Sequence, residues 1–439
     1  MDGDGAFEVV VAGYGTRNLV LAWTGGGLVD IAEDDLADAR HRSTGVVAAD
    51  ADGDGLEELY LLGRPGGAAD TDPSVPSGDR LMSRRASGWV DLFELPSNLH
   101  VAGPDAAHAV TAIDRIGSGS HGFAVASQNR PLRLLELSGD RLLDLAPEAG
   151  VAMPGVLAVL AAPLGDGRAD LVALDEAGSH RHFDNLGDGR LAGLDDPSRS
   201  TGPGQHAGAG FLALLDLPAG LAVVSVHRDG GHRLWLAGAG GRQGGFTDVT
   251  PPALAGPTPV GTVLTADFDN DGWQEVLITG IGRPNRLLGW RDGAWRELDP
   301  GPAAQSGEPT GSAAVADLDG DGRLELLLAG GPDQAAPLAL HYMPRNDNGW
   351  LRVAPSTPAG APARAALVEL QAGGRVQRRV IDAGSGAGCQ SEPVAHFGLG
   401  TERRIDRVRV TWPDLCTVTI DSPEPNQLLP VVHPATRLA

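Results

Sequence analysis

The chain has 439 residues, 63 of them glycine and 32 proline, with 4% aromatics and a formal net charge of −23. That length holds one large repeat domain and a small second one. The charge excludes a general nucleic-acid-binding role, because phosphate would be repelled, and there is no apolar run of roughly 18 residues to span a membrane.

In chain order, the first feature is Asp2, Asp4 and Glu8, which match the third, fifth and ninth positions of an acidic nonapeptide. Its first full copy is Asp50-Ala-Asp52-Gly-Asp54-Gly-Leu56-Glu-Glu58. Asp114 keeps only the first position of the next copy. Asp166, Gly167 and Asp170 keep the fifth, sixth and ninth positions of a copy that starts at Ala162, and Asp216 opens an eroded one. Full copies return as Asp267-Phe-Asp269-Asn-Asp271-Gly-Trp273-Gln-Glu275 and Asp317-Leu-Asp319-Gly-Asp321-Gly-Arg323-Leu-Glu325. First positions therefore fall at 0, 50, 114, 162, 216, 267 and 317. Seven units at a period near 50 mean a propeller or a solenoid.

Each unit reads as short strands. One apolar run leads into the loop, as in Thr44–Ala49, Ala107–Ile113 and Val156–Ala161, and a second leaves it, as in Leu56–Leu62 and Glu275–Thr279. A third follows a polar turn (Arg80–Arg84, Arg286–Trp290), and a fourth is shorter (Trp89–Phe93, Gly245–Val249). Gly, Pro, Asn and Asp punctuate these runs, and no helical period is sustained. Four strands in each of seven units give an all-β, seven-bladed β-propeller over residues 1–345. The chain begins inside its first loop, so the strand expected ahead of that loop is absent. Either the native chain starts upstream, or another segment fills the place. No basic-then-apolar leader is visible. An upstream start would fit a secreted or periplasmic protein, and a native start at Met1 a cytoplasmic one.

The nonapeptide is suited to a hard cation. Ca²⁺ takes six to eight oxygens, which a tight loop offers from alternate side chains and one backbone carbonyl. The expected ligands are Asp50, Asp52, Asp54, Glu58 and the Leu56 carbonyl; Asp267, Asp269, Asp271, Glu275 and the Trp273 carbonyl; and Asp317, Asp319, Asp321, Glu325 and the Arg323 carbonyl. Asp2, Asp4 and Glu8 form a reduced set. The twelve carboxylates of the three full loops would repel one another without cations, and the expected role of Ca²⁺ is to pin the hairpin between the first two strands of a blade.

Other patterns are less specific. Arg80, Arg133, Arg181, Arg233 and Arg286 recur before or within third strands, which fits either structural ion pairs or a ring around an anion. The loop Gly63–Asp79 is the longest in the propeller and fits a lid or a disordered segment. Histidines gather in the eroded middle units. His180, His182, His227 and His232, with Arg181, are the candidate catalytic residues of a pocket over units three to five, to which His121 and Trp235 would contribute; ordinary surface histidines are the alternative reading. No nucleophile elbow, H-E-x-x-H, phosphate-binding Gly-Lys loop or C-x-x-C occurs.

After Arg345 the pattern changes. Asn348-Gly-Trp-Leu-Arg-Val353, strand-like Ala365–Gln371 and Val376–Ile381, a Gly/Ser-rich stretch Asp382–Gln390, His396-Phe-Gly-Leu-Gly400, and Ile405 through Trp412-Pro-Asp414 follow in order. They read as a small β-sandwich-like domain over residues 346–433, with a tail at 434–439. The two cysteines, Cys389 and Cys416, both lie in this region, and either a disulfide or two thiols fits.

These motifs carry a resemblance. The nonapeptides resemble FG-GAP/VCBS repeats of the integrin-α-like propeller, and the N-x-W-L, H-F-G-L-G and W-P-D stretches resemble the ASPIC/UnbV domain. The pairing is similar to bacterial homologues of the cartilage acidic protein family. Where that family usually has Gly after Trp-Pro-Asp, this chain has Leu415-Cys416, so the hairpin is expected to turn differently and Cys416 to lie near Cys389. The resemblance implies a calcium-stabilised interaction protein with a protein, glycan or small-molecule ligand at the propeller face, expected to be a monomer. The UnbV name, from bacterial clusters that make enediyne-type natural products, implies the alternative of a calcium-dependent cyclase, isomerase or lyase of natural-product biosynthesis.

Overall fold

The computed structural model describes residues 6–436 apart from 34, 64–77, 104–106, 128, 194–209, 228–229, 239–244, 257–258, 305–309, 331–337, 345 and 386–387. Asp2, Asp4 and most of the Gly63–Asp79 loop lie outside the described residues.

Seven antiparallel meanders follow one another along the chain. Among the described residues, the first has three strands, Val9–Val11, Leu19–Trp23 and Leu28–Asp30, and the last also has three; the five between have four each. The strands that lead into the acidic loops are Ser43–Ala49, Ala107–Ile113, Val156–Ala162, Gly210–Leu217, Val260–Ala266 and Thr310–Ala316. From sheet to sheet these leading strands touch one another, so they line the axis and the later strands lie outward. This is a β-propeller. Aromatics are few, and the leading strands are rich in Ala and Val, which lets them crowd together. Larger side chains fill the wedges farther out. Tyr60, fully buried, meets Phe93 edge-on at 6.0 Å and Phe123 at 5.4 Å. Its hydroxyl donates to Asp79 at 2.6 Å, which satisfies a group that burial would otherwise penalise.

The periodic arginines are structural. Arg80 pairs with Asp91 at 3.1 Å, Arg286 with Glu297 at 3.1 Å, Arg181 with Asp175 at 3.8 Å and Arg233 with Asp248 at 3.8 Å, each inside its own sheet. Arg133 instead crosses to Asp79 of the preceding sheet, at 3.4 Å. Each is committed to a carboxylate partner.

The C-terminal domain is two sheets on one core. Ala395–Gly400, Gly349–Pro355 and Leu428–Val431 form one; Arg375–Val380, Leu367–Ala372, Ile405–Thr411 and Thr417–Asp421 form the other. Leu351, Val353, Val368, Leu370, Phe397, Val408, Val410 and Trp412 fill the space between them. The strand Leu428–Val431, which pairs parallel to Gly349–Pro355, was not expected from sequence.

Residues 382–385 and 388–392 of this domain enter the propeller axis. There they pair with the leading strands, whose axial edges would otherwise leave backbone groups without partners. Ala112 N donates to Ala383 O at 2.6 Å, Val46 N to Gly388 O at 2.9 Å, and Glu392 N to Val315 O at 3.0 Å. Gln390 exchanges two bonds with the Ala48 backbone, at 2.9 and 3.0 Å. The Gly/Ser-rich composition is therefore steric. A Cβ on Gly384 would stand 2.8 Å from Val110 O and 3.0 Å from Val47 Cγ2, and one on Gly388 2.3 Å from Leu62 Cδ1.

No disulfide joins Cys389 and Cys416; both are thiols. Cys389 lies in the axial segment, bridged to Ser385, whereas Cys416 sits in the hairpin after Trp412. Leu415 itself takes the left-handed conformation, at φ 70°, and its side chain reaches Gly167 of the fourth acidic-loop remnant.

Gly384→Ala should lower stability by about 3 kcal/mol through overpacking and its positive φ. Gly26→Ala, with open space around it, should stay within about 0.5 kcal/mol of the parent. Denaturant unfolding of both variants checks this. Equal stability would mean that the axial segment does not pack as described.

Candidate metal centres and the domain interface

Each full loop is organised by its own carboxylates. In the second sheet, Asp50 accepts from Gly53 N at 2.7 Å and Gly55 N at 3.0 Å, while Glu58 accepts from Ala51 N at 2.8 Å. The sixth loop repeats this. Gly272 N donates to Asp267 at 3.0 Å, and Phe268 N to Glu275 at 2.9 Å. In the seventh, Gly322 N donates to Asp317 at 2.9 Å and Leu318 N to Glu325 at 2.8 Å. First and ninth positions thus close the turn from both ends, and the glycine at position six supplies the bond and the positive φ (92°, 90° and 82°). Asp114 still organises its loop by three backbone bonds although no other loop carboxylate survives. At Asp216 the loop is gone, and Leu217 pairs directly with Gly220.

Three oxygen-bearing trios result: Asp50, Asp52 and Glu58; Asp267, Asp269 and Asp271; Asp317, Asp319 and Glu325. Within each, ligand atoms lie within 4.8 Å of one another. The fourth carboxylates are engaged elsewhere. Leu56 N donates to Asp54, Arg323 pairs with Asp321, and Arg291 reaches Glu275 at 2.8 Å. Arg291, which spacing did not single out, also touches Asp269 at 2.6 Å and Asp271 at 3.1 Å, and so supplies part of the countercharge in that loop. The Trp273 ring lies under the Arg375 guanidinium at 3.4 Å. Glu8 is described, but its partners Asp2 and Asp4 are not.

The donor sets fit a hard divalent cation. All donors are oxygen, and the Asp267 Oδ1 and Asp317 Oδ1 atoms are buried without a hydrogen-bond partner. Burial, then neighbouring carboxylates, drives several acids upward: Glu58, Asp267 and Glu325 each to about 7, and Glu275 well above its usual range. For Asp267 the nearby Arg379 opposes this, but burial prevails.

The C-terminal domain docks on these loops. Arg352 pairs with Asp317 at 3.0 Å and also contacts Glu392. Arg379 lies 3.6 Å from Asp216 and 3.7 Å from Asp267, and Arg364 pairs with Glu57 at 2.8 Å. The His396–Gly400 stretch meets the sixth loop. Gly398 N donates to Asp267 at 3.0 Å, Gly400 N to Asn270 O at 2.8 Å, and His396 Nε2 lies 2.6 Å from Asn270 Oδ1. A Cβ on Gly398 would stand 2.3–2.4 Å from the Asn270 backbone and Asp267 Oδ2. Asn348 donates to Asp269 O at 2.8 Å, and Trp350 covers Gly322.

A cavity of about 110 Å³ lies between the axis and this domain, lined by Leu160, Leu214, Leu264, Asp216, Arg379 and His396 among others. None of His121, His180, His182, His227, His232, Arg181 and Trp235 lines it. The five histidines are buried and are not surface groups. His180 packs edge-on against Trp235 at 5.2 Å, and burial, with His227 and Arg233 nearby, lowers it to about 3. His227 N donates to His232 Nδ1 at 3.2 Å. His182 lies beside Asp170 and Asp184.

The FG-GAP-like repeat matches residues 1–61 and 267–328, and the ASPIC and UnbV family matches residues 357–438. Cartilage acidic protein 1 from Homo sapiens is 35% identical over 99% of this chain and 71% of its own length. The Mus musculus protein is 34% identical (99% and 73%) and that of Xenopus tropicalis 35% identical (99% and 72%). The chain belongs to the cartilage acidic protein 1 family. Among solved structures, BBS1N in complex with ARL6DN aligns with a TM-score of 0.46 at 12% identity, over 78% of this chain and 90% of that one. Saccharomyces cerevisiae Sqt1 aligns with a TM-score of 0.44 at 11% identity, over 77% and 82%. No helix among the described residues is long and apolar enough to cross a membrane.

The raised carboxyls make cation-free stability depend on pH. Their folded values lie above the unfolded ones, so between about pH 4 and 7 the folded state holds more protons. The associated stability is present below about pH 4.5 and lost as pH rises through 7. Melting of chelator-treated protein should therefore fall from pH 5 to 7.5, and Glu325→Gln should reduce that slope. A slope unchanged by Glu325→Gln would show that this carboxyl is not raised.

Proposed function

We propose that this protein is a calcium-stabilised interaction protein, whose propeller is locked by Ca²⁺ in the acidic loops and presents a surface to a protein or glycan partner. The convergence of three separate carboxylate trios, all oxygen and partly desolvated, carries this reading. The second, sixth and seventh loops would hold the ions through Asp50, Asp52 and Glu58; Asp267, Asp269 and Asp271; and Asp317, Asp319 and Glu325. Bound Ca²⁺ supplies charge neutralisation, not chemistry. Seven-repeat scaffolds of this kind offer broad rigid faces. Here the loop-side face is already covered by the C-terminal domain, and its axial opening is filled by residues 382–385 and 388–392. That arrangement favours recognition on the remaining surface over catalysis at an open propeller mouth. The same chemistry suits a calcium-rich extracellular setting, in which modules bind the ion at around 10⁻⁴–10⁻³ M.

Metal analysis after dialysis against trace Ca²⁺ should find at least three ions per chain. Ca²⁺ at 100 times its dissociation constant should add about 2.7 kcal/mol per site, so EGTA should lower the melting temperature. Asp319→Asn should remove one ion and part of that gain. Absence of bound Ca²⁺, with melting indifferent to EGTA, would contradict the proposal.

A further inference from the structure

The fourth sheet lost its calcium motif but did not lose its acids. Asp170, at the ninth position of the eroded loop, begins the strand Asp170–Asp175, which pairs with His180–Asn185. The register Leu171↔Phe183 places Asp170 opposite Asp184 and Val172 opposite His182. Alternation along the strands brings Asp170, His182 and Asp184 to one face. At the place of Asp184, the second sheet has Ser83, which donates to Glu58 at 2.9 Å, and the sixth has Gly289. Only the fourth of these sets a carboxylate against the ninth-position acid, with an imidazole beside it.

Two carboxylates directly opposite in a ladder repel each other. All three residues are buried, at 1%, 7% and 4% exposure. Asp170 Oδ1 accepts from Asn185 N at 2.8 Å, which leaves Oδ2 directed into the cluster. Asp170 Oδ2 and His182 Nε2 are buried without hydrogen-bond partners, 3.6 Å apart, too far for a hydrogen bond. The ligand atoms of all three residues lie within 4.8 Å of one another. Donors about 2.1 Å from a tetrahedral ion stand roughly 3.4 Å apart, which the His182–Asp170 distance matches.

We propose that Asp170, His182 and Asp184 form a binding site for one first-row divalent transition metal, Zn²⁺ being the probe of choice, distinct in chemistry from the all-oxygen calcium loops. The imidazole nitrogen selects against Ca²⁺ and for Zn²⁺ or Co²⁺. The other mixed cluster, Asp414, Cys416 and His433, is already satisfied. His433 Nδ1 accepts from Ala435 N at 3.1 Å, so its Nε2–H donates to Asp414 at 3.0 Å.

The test uses the full chain, stripped with chelator and re-equilibrated with Zn²⁺ or Co²⁺ in saturating Ca²⁺. One equivalent of Zn²⁺ should remain per chain. X-ray absorption of the wild-type protein should show nitrogen and oxygen ligands without sulfur. His182→Gln and Asp184→Asn should each weaken retention by roughly 100-fold or more, while Cys416→Ser leaves it intact. No retained equivalent, a sulfur ligand, or retention indifferent to both His182→Gln and Asp184→Asn would overturn the proposal. The absorption measurement on wild-type protein decides the matter even where a variant fails to fold.

Discussion

In the sixth and seventh loops, the aspartate at the first position holds two structures at once. Asp267 accepts from Gly272 N within its own turn and from Gly398 N of the C-terminal domain, both at 3.0 Å and both through Oδ2. Asp317 does the same with Gly322 N and Arg352. The loop that shapes a blade is thereby the surface on which the second domain sits. Gly398 follows from this, since backbone-to-carboxylate contact leaves no room for a Cβ.

The arrangement concentrates charge where water is scarce. A buried ion pair recovers its desolvation cost only with good geometry and further hydrogen bonds, and removing one partner typically costs 3–5 kcal/mol. Arg379, 3.6 Å from Asp216 and 3.7 Å from Asp267, is held in place by donating to His396 O at 3.0 Å. Arg352 bridges Asp317 and Glu392, so one guanidinium ties the seventh loop to the axial segment. Carboxylates outnumber these arginines in the loops, and the surplus is what the proposed calcium ions would neutralise. A net charge of −23 in the sequence is in part the trace of that requirement.

Local features of this design were legible in sequence. The nonapeptides and the apolar runs beside them gave the sheet order, and Ala107–Ile113 is observed with the bounds expected for it. Long-range pairings were not legible. The Gln390 contact with Ala48 spans 342 residues, and nothing in a Gly/Ser-rich stretch says which strand edge it will cover. Arg291 was not legible because its role depends on reaching back past the strand Glu275–Gly280 to Asp269. Leu428–Val431 carries a proline and too short an alternation to stand out as a strand. The histidines misled in a different way. Their sequence clustering was real, but alternation turned them inward, against Trp235 and Phe246, away from the cavity.

The central claim is that the acidic loops hold both their own turns and the C-terminal domain. Hydrogen exchange of the full chain with and without Ca²⁺ tests it most directly. Ca²⁺ should slow exchange in the loop Asp267–Glu275 and, together with it, in the strand Ala395–Gly400 and the axial residues around Ala383. Slowed exchange in the loop, with no change in the C-terminal domain, would contradict the account.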